Sequence, residues 1–277
     1  MTWDAALYKA IKAARLGREV LLKYYGRLEH IEHKFQAGLV SEADKESEKV
    51  IFNYLRQHFP QDQFLGEEST AADNKEFGDL RKLLPAVSPG RWVVDPLDGT
   101  TNYIHRFPIF CISIGYEING QIQLAVIDVP MLGEVYTAIR GQGAFVNGQR
   151  MQISQTKELK DSLLATGFFN ENEANLEEQL KIFGGIVRNS RGIRRSGAAA
   201  YDLAMVARGS LDAFWEKGLQ PWDSAAGMLL VEEAGGVFTT YRGEKYTPYK
   251  NSIIAGNRMM VETLVEKFRT NLRPDTD

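Results

Sequence analysis

The stretch Trp92–His105 reads WVVDPLDGTTNYIH, and its meaning decides the fold. Trp92, Val93 and Val94 make a short apolar run that suits a strand, which delivers Asp95 at its end. Pro96 stiffens the turn that follows. A turn that aims Asp95 and Asp98 the same way makes both carboxylates, with the Leu97 carbonyl between them, face one small volume. Oxygen-only donors of this kind suit Mg²⁺, which prefers carboxylates, carbonyls, water and phosphate. Gly99 lets a ligand approach the backbone. Thr100 and Thr101 then offer amides at a helix or turn start, where anions bind. Cations beside an amide nest make a phosphate site. Every residue here is also an ordinary turn former, and a solvated turn would use the same letters.

Further acids tip the balance toward a site. FLGEES puts Glu67 behind a short apolar segment and a glycine, where a loop acid or salt bridge is the competing explanation. PWDSAAG puts Asp223 before a helix, and Asp44 also opens a helix. Both positions suit N-caps, worth about 1 kcal/mol. Capping and metal ligation are compatible.

Working outward, Leu7, Ile11, Ala14, Leu21 and Tyr25 share one helical face, so an amphipathic helix opens the chain. A second helix starts at Asp44, turns Ser47, Val50, Ile51, Tyr54 and Leu55 inward, and stops before Pro60. AADNKEFGDLRKLLPAVSPG is polar and punctuated, as a loop is. FCISIGYEI and QIQLAVIDV flank Asn119-Gly120, a strong hairpin signal. EVYTAI and GAFVNG continue a strand-rich centre. A helix follows the polar start of GFFNENEANLEEQLKIFGGIVRNS. AAAYDLAMVARG is a helix ending at Gly209, LDAFWE a strand, and DSAAGMLLVEEAGG a helix with a glycine stop. GVFTT and SIIAG are strands, and MMVETLVEKFRTNL closes as a helix. The pattern predicts a layered α/β (α+β) architecture. No linker divides residues 1–277, so one domain is expected, whose half beyond about residue 150 completes the site with Asp223.

The chain has 277 residues and a formal net charge of −3, which gives no broad basic field for nucleic acid. Cys111 is the single cysteine, so no internal disulfide forms, and a buried thiol in an apolar strand is expected. Lys9, Lys12 and Arg15 interrupt the first apolar segment, and no run approaches the roughly 18 apolar residues that span a bilayer. A soluble cytoplasmic protein is expected. GQGAFVNG lies between strands and makes a hairpin rather than a dinucleotide loop. His30 and His33 have no second pair, so they are expected as solvated loop residues. Trp222 is expected as a packing wall beside Asp223. Arg191, Arg194 and Arg195 form a basic cluster, suited to a dimer contact, salt bridges or an acidic partner.

GEES, DPLDGTTN and WDSAAG, in this order and at these separations, resemble the inositol monophosphatase family of Mg²⁺-dependent, lithium-sensitive phosphatases. The resemblance runs nearly end to end, through GLVSEAD, GQGAFVNGQ, RRSGAAAYDLAMVARGSLDAFWEKG and EEAGG, and is strongest to the bacterial branch. It implies a five-layered α-β-α-β-α sandwich, usually homodimeric, with two or three Mg²⁺ per site. It implies that Glu67, Asp95 and the Leu97 carbonyl hold one metal, and that Asp95, Asp98 and Asp223 hold a second. Glu67 would also stand near a weaker third. Asp44 and Thr100 would orient the attacking water, and the Gly99 and Thr100 amides would bind phosphate. Asp98, the Ala199 amide, Glu216 and Asp223 would face the substrate. One departure stands out: Gly38 replaces the family's usual acid ahead of Ser41, which bears on the third metal.

The resemblance implies in-line attack by activated water on a phosphate monoester, with no covalent phosphoenzyme. Inositol 1-phosphate leads, because the carboxylate of Glu216 can accept hydrogen bonds from polyol hydroxyls. Relatives of the same fold cleave fructose 1,6-bisphosphate, adenosine 3′,5′-bisphosphate, histidinol phosphate or NADP. Members of the bacterial branch also act in transcription and ribosome biogenesis through RNA polymerase and Nus factors, and RGIRR is the segment to watch for such a contact. A pure metal or inositol binder is disfavoured by the intact set of acids.

Overall fold

The strands that carry the site are apolar on both faces, and the layers of the protein follow from that. In the computed structural model, which describes residues 2–34, 38–72, 89–168 and 173–270, strand β4 (Arg91–Asp98) is buried throughout. Trp92 and Val94 face one side, Val93 the other. β4 lies in a seven-stranded sheet with β3 (Gln63–Gly66), β5 (Cys111–Ile118), β6 (Gln121–Val129), β7 (Glu134–Ile139), β8 (Gly143–Val146) and β9 (Gln149–Arg150), ordered β3-β4-β5-β6-β7-β8-β9. β3 and β4 are parallel, and the remaining pairs are antiparallel.

Two helices cover one face of this sheet. α1 (Trp3–Tyr24) and α2 (Glu42–His58) bring Ala10, Ala14, Leu21, Ile51 and Leu55 against Trp92, Val94, Ile112, Ile114 and Val126. The other face packs on α6 (Ala199–Ala207) and α7 (Pro221–Glu233), where Leu203, Trp222 and Leu229 meet Val93, Ala125 and Ile127. The same helices support a second sheet. Its strands are β10 (Leu163–Thr166), β11 (Gly192–Arg194), β12 (Ala213–Lys217), β13 (Val237–Thr239) and β14 (Ser252–Gly256), ordered β11-β10-β12-β14-β13. Phe214 and Ala255 point into the shared core. Trp215 and Ile254 point outward, against Ile182 of α5 (Glu173–Val187) and Leu264 and Phe268 of α8 (Arg258–Arg269). The result is the expected five-layered α-β-α-β-α sandwich.

Local chemistry explains most boundaries. Asn119 and Gly120 take positive φ, 51° and 74°, and close the β5–β6 hairpin with Ile118 opposite Gln121. Asn147 and Gly148 do the same after β8, so GQGAFVNG is a hairpin. Gly209 and Gly235, both at positive φ, follow the ends of α6 and α7.

Several expectations need correction. β4 does not end at Asp95 but continues to pair through Asp98, with a register irregularity between them. A bulge tolerates Pro96, which a regular ladder would not. α2 starts at Glu42, two residues earlier than expected. Asp44 and Asp223 are not N-caps. Ser41 and Gln220 take that place, and the two aspartates are the third helical residues of reciprocal capping boxes. Glu67 lies in no loop, the competing explanation for it, because Glu67–Ala72 form a short helix, α3. His33, expected in a loop, lies in strand β1 (Ile31–Lys34), antiparallel to β2 (Gly38–Ser41). Gly38 pairs with Lys34 there, and the His33 side chain lies outside the described residues, as does most of the polar stretch after Ala72. No helix among the described residues is long and apolar enough to cross a membrane.

Candidate active site

The β4 bulge packs beside α3 and α7 and runs on into the helix α4 (Thr100–Ile104). Asp95 is 2% exposed. Its Oδ1 accepts the Leu97 N–H at 2.9 Å, which folds the bulge and sets the carboxylate. Burial raises its proton affinity well above the ordinary carboxylate range, and Glu67, Asp98 and Asp223 push it further. Asp98 is held from across the molecule. Ala199 N–H donates to Oδ1 at 3.2 Å and Ala200 N–H to Oδ2 at 2.7 Å. The buried Cys111 thiol donates to Oδ2 at 3.5 Å. Burial lifts this carboxyl to about 6, and those three donors restrain it. Asp223 accepts the Gln220 N–H at 2.7 Å. Burial again raises its proton affinity well up, with Asp98 the next cause. Ser113 Oγ donates to the Trp222 carbonyl at 3.0 Å, tying the start of α7 to β5. Trp222 itself is fully packed.

Asp44 bridges to this cluster from α2. Its Oδ2 accepts the Ser41 N–H at 2.8 Å and the Ser41 hydroxyl at 2.6 Å. Its Oδ1 accepts the Thr100 hydroxyl at 3.1 Å, and the Leu97 carbonyl lies equally close to that hydroxyl. Gly99 caps α4 at φ 92°. A Cβ there would lie 3.0 Å from the Ile109 carbonyl and 3.3 Å from the Ala198 Cβ, so the turn needs glycine twice over. The first amides of α4 have no partner inside the helix, and no side chain caps them.

Glu216 stands on β12. Burial pushes it from 4.5 to about 8; Arg195 opposes the shift, while Asp202 and Asp98 add to it. At neutral pH, without a bound cation, it is therefore a carboxylic acid. It offers a donor as well as acceptors, rather than the acceptor-only carboxylate expected from sequence. Because its folded pKa lies above its unfolded one, its contribution to stability is full below pH 4.5 and is lost as pH rises to about 8. Glu216→Gln mimics the protonated form. In EDTA, its stability gain over wild type should grow through that window and level off above it. Urea midpoints of the two proteins from pH 5 to 9 check this, and a gap independent of pH refutes it.

Sequence reasoning missed several residues. Asn102 Nδ2 donates to the Ile109 and Ser196 carbonyls, both at 2.7 Å, and so latches α4 to the segment before α6. Its place at the end of DPLDGTTN was the available signal. Asp202 accepts the Ser196 hydroxyl at 2.6 Å. The Ala199 amide, expected to face substrate, is engaged by Asp98. Of the basic cluster, Arg191 pairs with Asp161 at 3.4 Å, Arg194 and Arg195 are exposed, and the charge of Arg195 acts on Glu216 and Asp202.

Among the described residues, no three Asp, Glu, His or Cys side chains converge as a finished metal-ligand set. The chemistry of the donors nevertheless fits a hard cation. Asp95, Asp98, Asp223 and Glu67 are all oxygen donors, and the charge of Glu67 adds to the raised proton affinity of the three aspartates. A divalent ion reverses that penalty by favouring the charged forms.

The sequence matches the profile of the Inositol monophosphatase family over residues 3–273. It is 40% identical over 269 residues to Nus factor SuhB of Pseudomonas aeruginosa, covering 96% of each chain. It is 36% identical to Inositol monophosphatase of Dictyostelium discoideum, covering 98% of this chain and 99% of that one. The fold superposes on the crystal structure of extragenic suppressor protein SuhB from Bartonella henselae with a TM-score of 0.86 at 37% identity, covering 97% of this chain and 100% of that one. With profile, full-length similarity and layer architecture in agreement, this chain belongs to the inositol monophosphatase family.

Proposed function

We propose that the protein is a Mg²⁺-dependent phosphomonoesterase acting on inositol 1-phosphate. The observation that carries this reading is the mutual electrostatic pressure of Glu67, Asp98 and Asp223 on buried Asp95, beside the Asp44–Thr100 hydrogen bond. Glu67, Asp95, Asp98, Asp223 and the Leu97 carbonyl would hold two or three ions. Bound there, Mg²⁺ supplies Lewis acidity and lowers the pKa of water.

The remaining chemistry belongs to the chain. The Gly99 and Thr100 amides face the phosphate oxygens and hold them at the helix start. Thr100 takes the proton of the attacking water as its own passes to Asp44, which acts as the general base. The new P–O bond forms opposite the breaking ester bond, and the leaving alkoxide takes up a proton from solvent. Glu216 marks the polyol side, where its neutral carboxyl pairs with hydroxyls. Cys111 is no candidate nucleophile. It is buried, and burial with Asp98 beside it pushes the thiol pKa well up. The family's lithium sensitivity and homodimeric assembly belong to the same proposal, as does a cytoplasmic setting.

The test is phosphate release with Mg²⁺ from inositol 1-phosphate, run beside fructose 1,6-bisphosphate, adenosine 3′,5′-bisphosphate, NADP and histidinol phosphate. The expected result is a kcat/KM for inositol 1-phosphate at least about tenfold above the others, a difference worth about 1.4 kcal/mol in transition-state binding. Preference for another ester keeps the site and changes the substrate. The name Nus factor SuhB among the relatives supports a second reading, in which exposed Arg194 and neighbouring Arg195 contact the transcription machinery. Folded protein that turns over none of the five esters would favour it.

A further inference from the structure

α2 touches the site at three successive points of one face. Asp44 accepts the Thr100 hydroxyl, and Ser47 Oγ donates to the Pro96 carbonyl at 3.0 Å, inside the β4 bulge. Glu48, one turn after Asp44, reaches α3. Its two carboxylate oxygens accept separate backbone amides: Oε2 takes the Glu68 N–H at 2.9 Å and Oε1 the Ser69 N–H at 2.8 Å. These are amides of the first turn, which a helix cannot satisfy internally. The residue before α3, Gly66, has no side chain with which to cap them. A Cβ on Gly66 would lie 2.3 Å from Glu48 Oε2 and 2.7 Å from Phe52 Cζ, so glycine leaves the space the carboxylate fills. Glu48 is 6% exposed. A carboxylate is costly to bury there unless its hydrogen bonds repay it.

We propose that Glu48 is a positioning residue for Glu67: it serves as a remote N-cap for α3 and fixes the helix end that presents Glu67 to Asp95, Asp98 and Asp223. The inference rests on the phosphatase reading, since it gives Glu67 a metal to meet. α3 has only six residues and little cohesion of its own. Its direction is therefore set by the contact at its start. α2 then registers the water-activating pair, the aspartate bulge and Glu67 against one another.

Glu48→Gln is the informative variant. The amide keeps one acceptor but turns an NH₂ donor toward a backbone N–H, so one of the two caps is lost. Removing an outer partner of a metal ligand typically weakens metal affinity about 10–100-fold. The expected result is a loss of that size in Mn²⁺ binding, followed by the EPR signal of free Mn²⁺. An equal shift in the Mg²⁺ concentration for half-maximal activity should accompany it. At saturating Mg²⁺, kcat should return to within about threefold of wild type, because the ligands themselves are intact. Gly66→Ala displaces the same carboxylate while leaving Glu48 in place. It should weaken Mn²⁺ binding in the same direction, and it serves if Glu48→Gln does not fold. Mn²⁺ affinity within twofold of wild type in a folded form of either variant overturns the inference alone. Wild-type protein that binds neither ion overturns the phosphatase reading and this inference with it.

Discussion

Asp95→Asn is expected to lower kcat/KM for the best ester by on the order of a thousandfold, about 4 kcal/mol of transition-state stabilisation, without loss of fold. Asp95 sits at the centre of the acid cluster, with Glu67, Asp98 and Asp223 all acting on it. A neutral amide there takes away the charge that a cation would need. The backbone role survives, because an asparagine carbonyl can still accept the Leu97 N–H that Asp95 Oδ1 accepts now at 2.9 Å. Burial and three like charges disfavour the ionised aspartate in the metal-free protein. The variant should therefore melt no lower than wild type in EDTA, and higher as pH rises. Phosphate release at saturating Mg²⁺, paired with thermal melts in EDTA, reads both halves. Turnover within tenfold of wild type would remove Asp95 from the site.

The same residue shows how far sequence reading reaches. WVV announced a buried strand, because apolar β-branched runs covered on both faces leave that mark without any partner being known. The β5–β6 hairpin was legible for a similar reason: Asn119-Gly120 encodes its own positive φ values. The helical face of α1 follows from spacing alone. What stayed hidden depends on residues far apart in the chain. The β4 bulge looked like a strand end, since Pro96 disqualifies a regular ladder, and only pairing with β5 shows the strand resuming at Asp98. α3 is held by a glutamate about twenty residues earlier. The grip of Ala199 and Ala200 on Asp98 spans about a hundred residues and crosses from the seven-stranded sheet to the helical layer packed on it. The difference between an N-cap and the third residue of a capping box, which misplaced Asp44 and Asp223, turns on one residue's φ and ψ. Asp223 was tied to the β4 acids by family resemblance, not by any periodicity.

Asp44→Asn separates the structural and chemical duties that share one side chain. Asp44 Oδ2 closes the capping box with Ser41, and Oδ1 accepts the Thr100 hydroxyl. In the variant, the remaining oxygen should stay with the two Ser41 donors, because turning it away would leave those donors facing an NH₂. The NH₂ then faces Thr100, whose hydroxyl must accept from it and send its own hydrogen to the Leu97 carbonyl, already 3.1 Å away. Every hydrogen bond is kept, but the direction of the chain through Thr100 is reversed. A threonine held this way can no longer take a proton from water and pass its own on to residue 44. General-base assistance is typically worth 10²–10⁴-fold, so kcat should fall by about that factor. KM and Mn²⁺ affinity should stay within about threefold, and stability within about 1 kcal/mol, the usual worth of a helix cap. Thr100→Val should cost a similar factor in kcat, and the double variant little more than either single one, because the two residues act as a unit. Multiplying losses in the double variant would show that Asp44 and Thr100 act independently, and the proton route through them would be wrong.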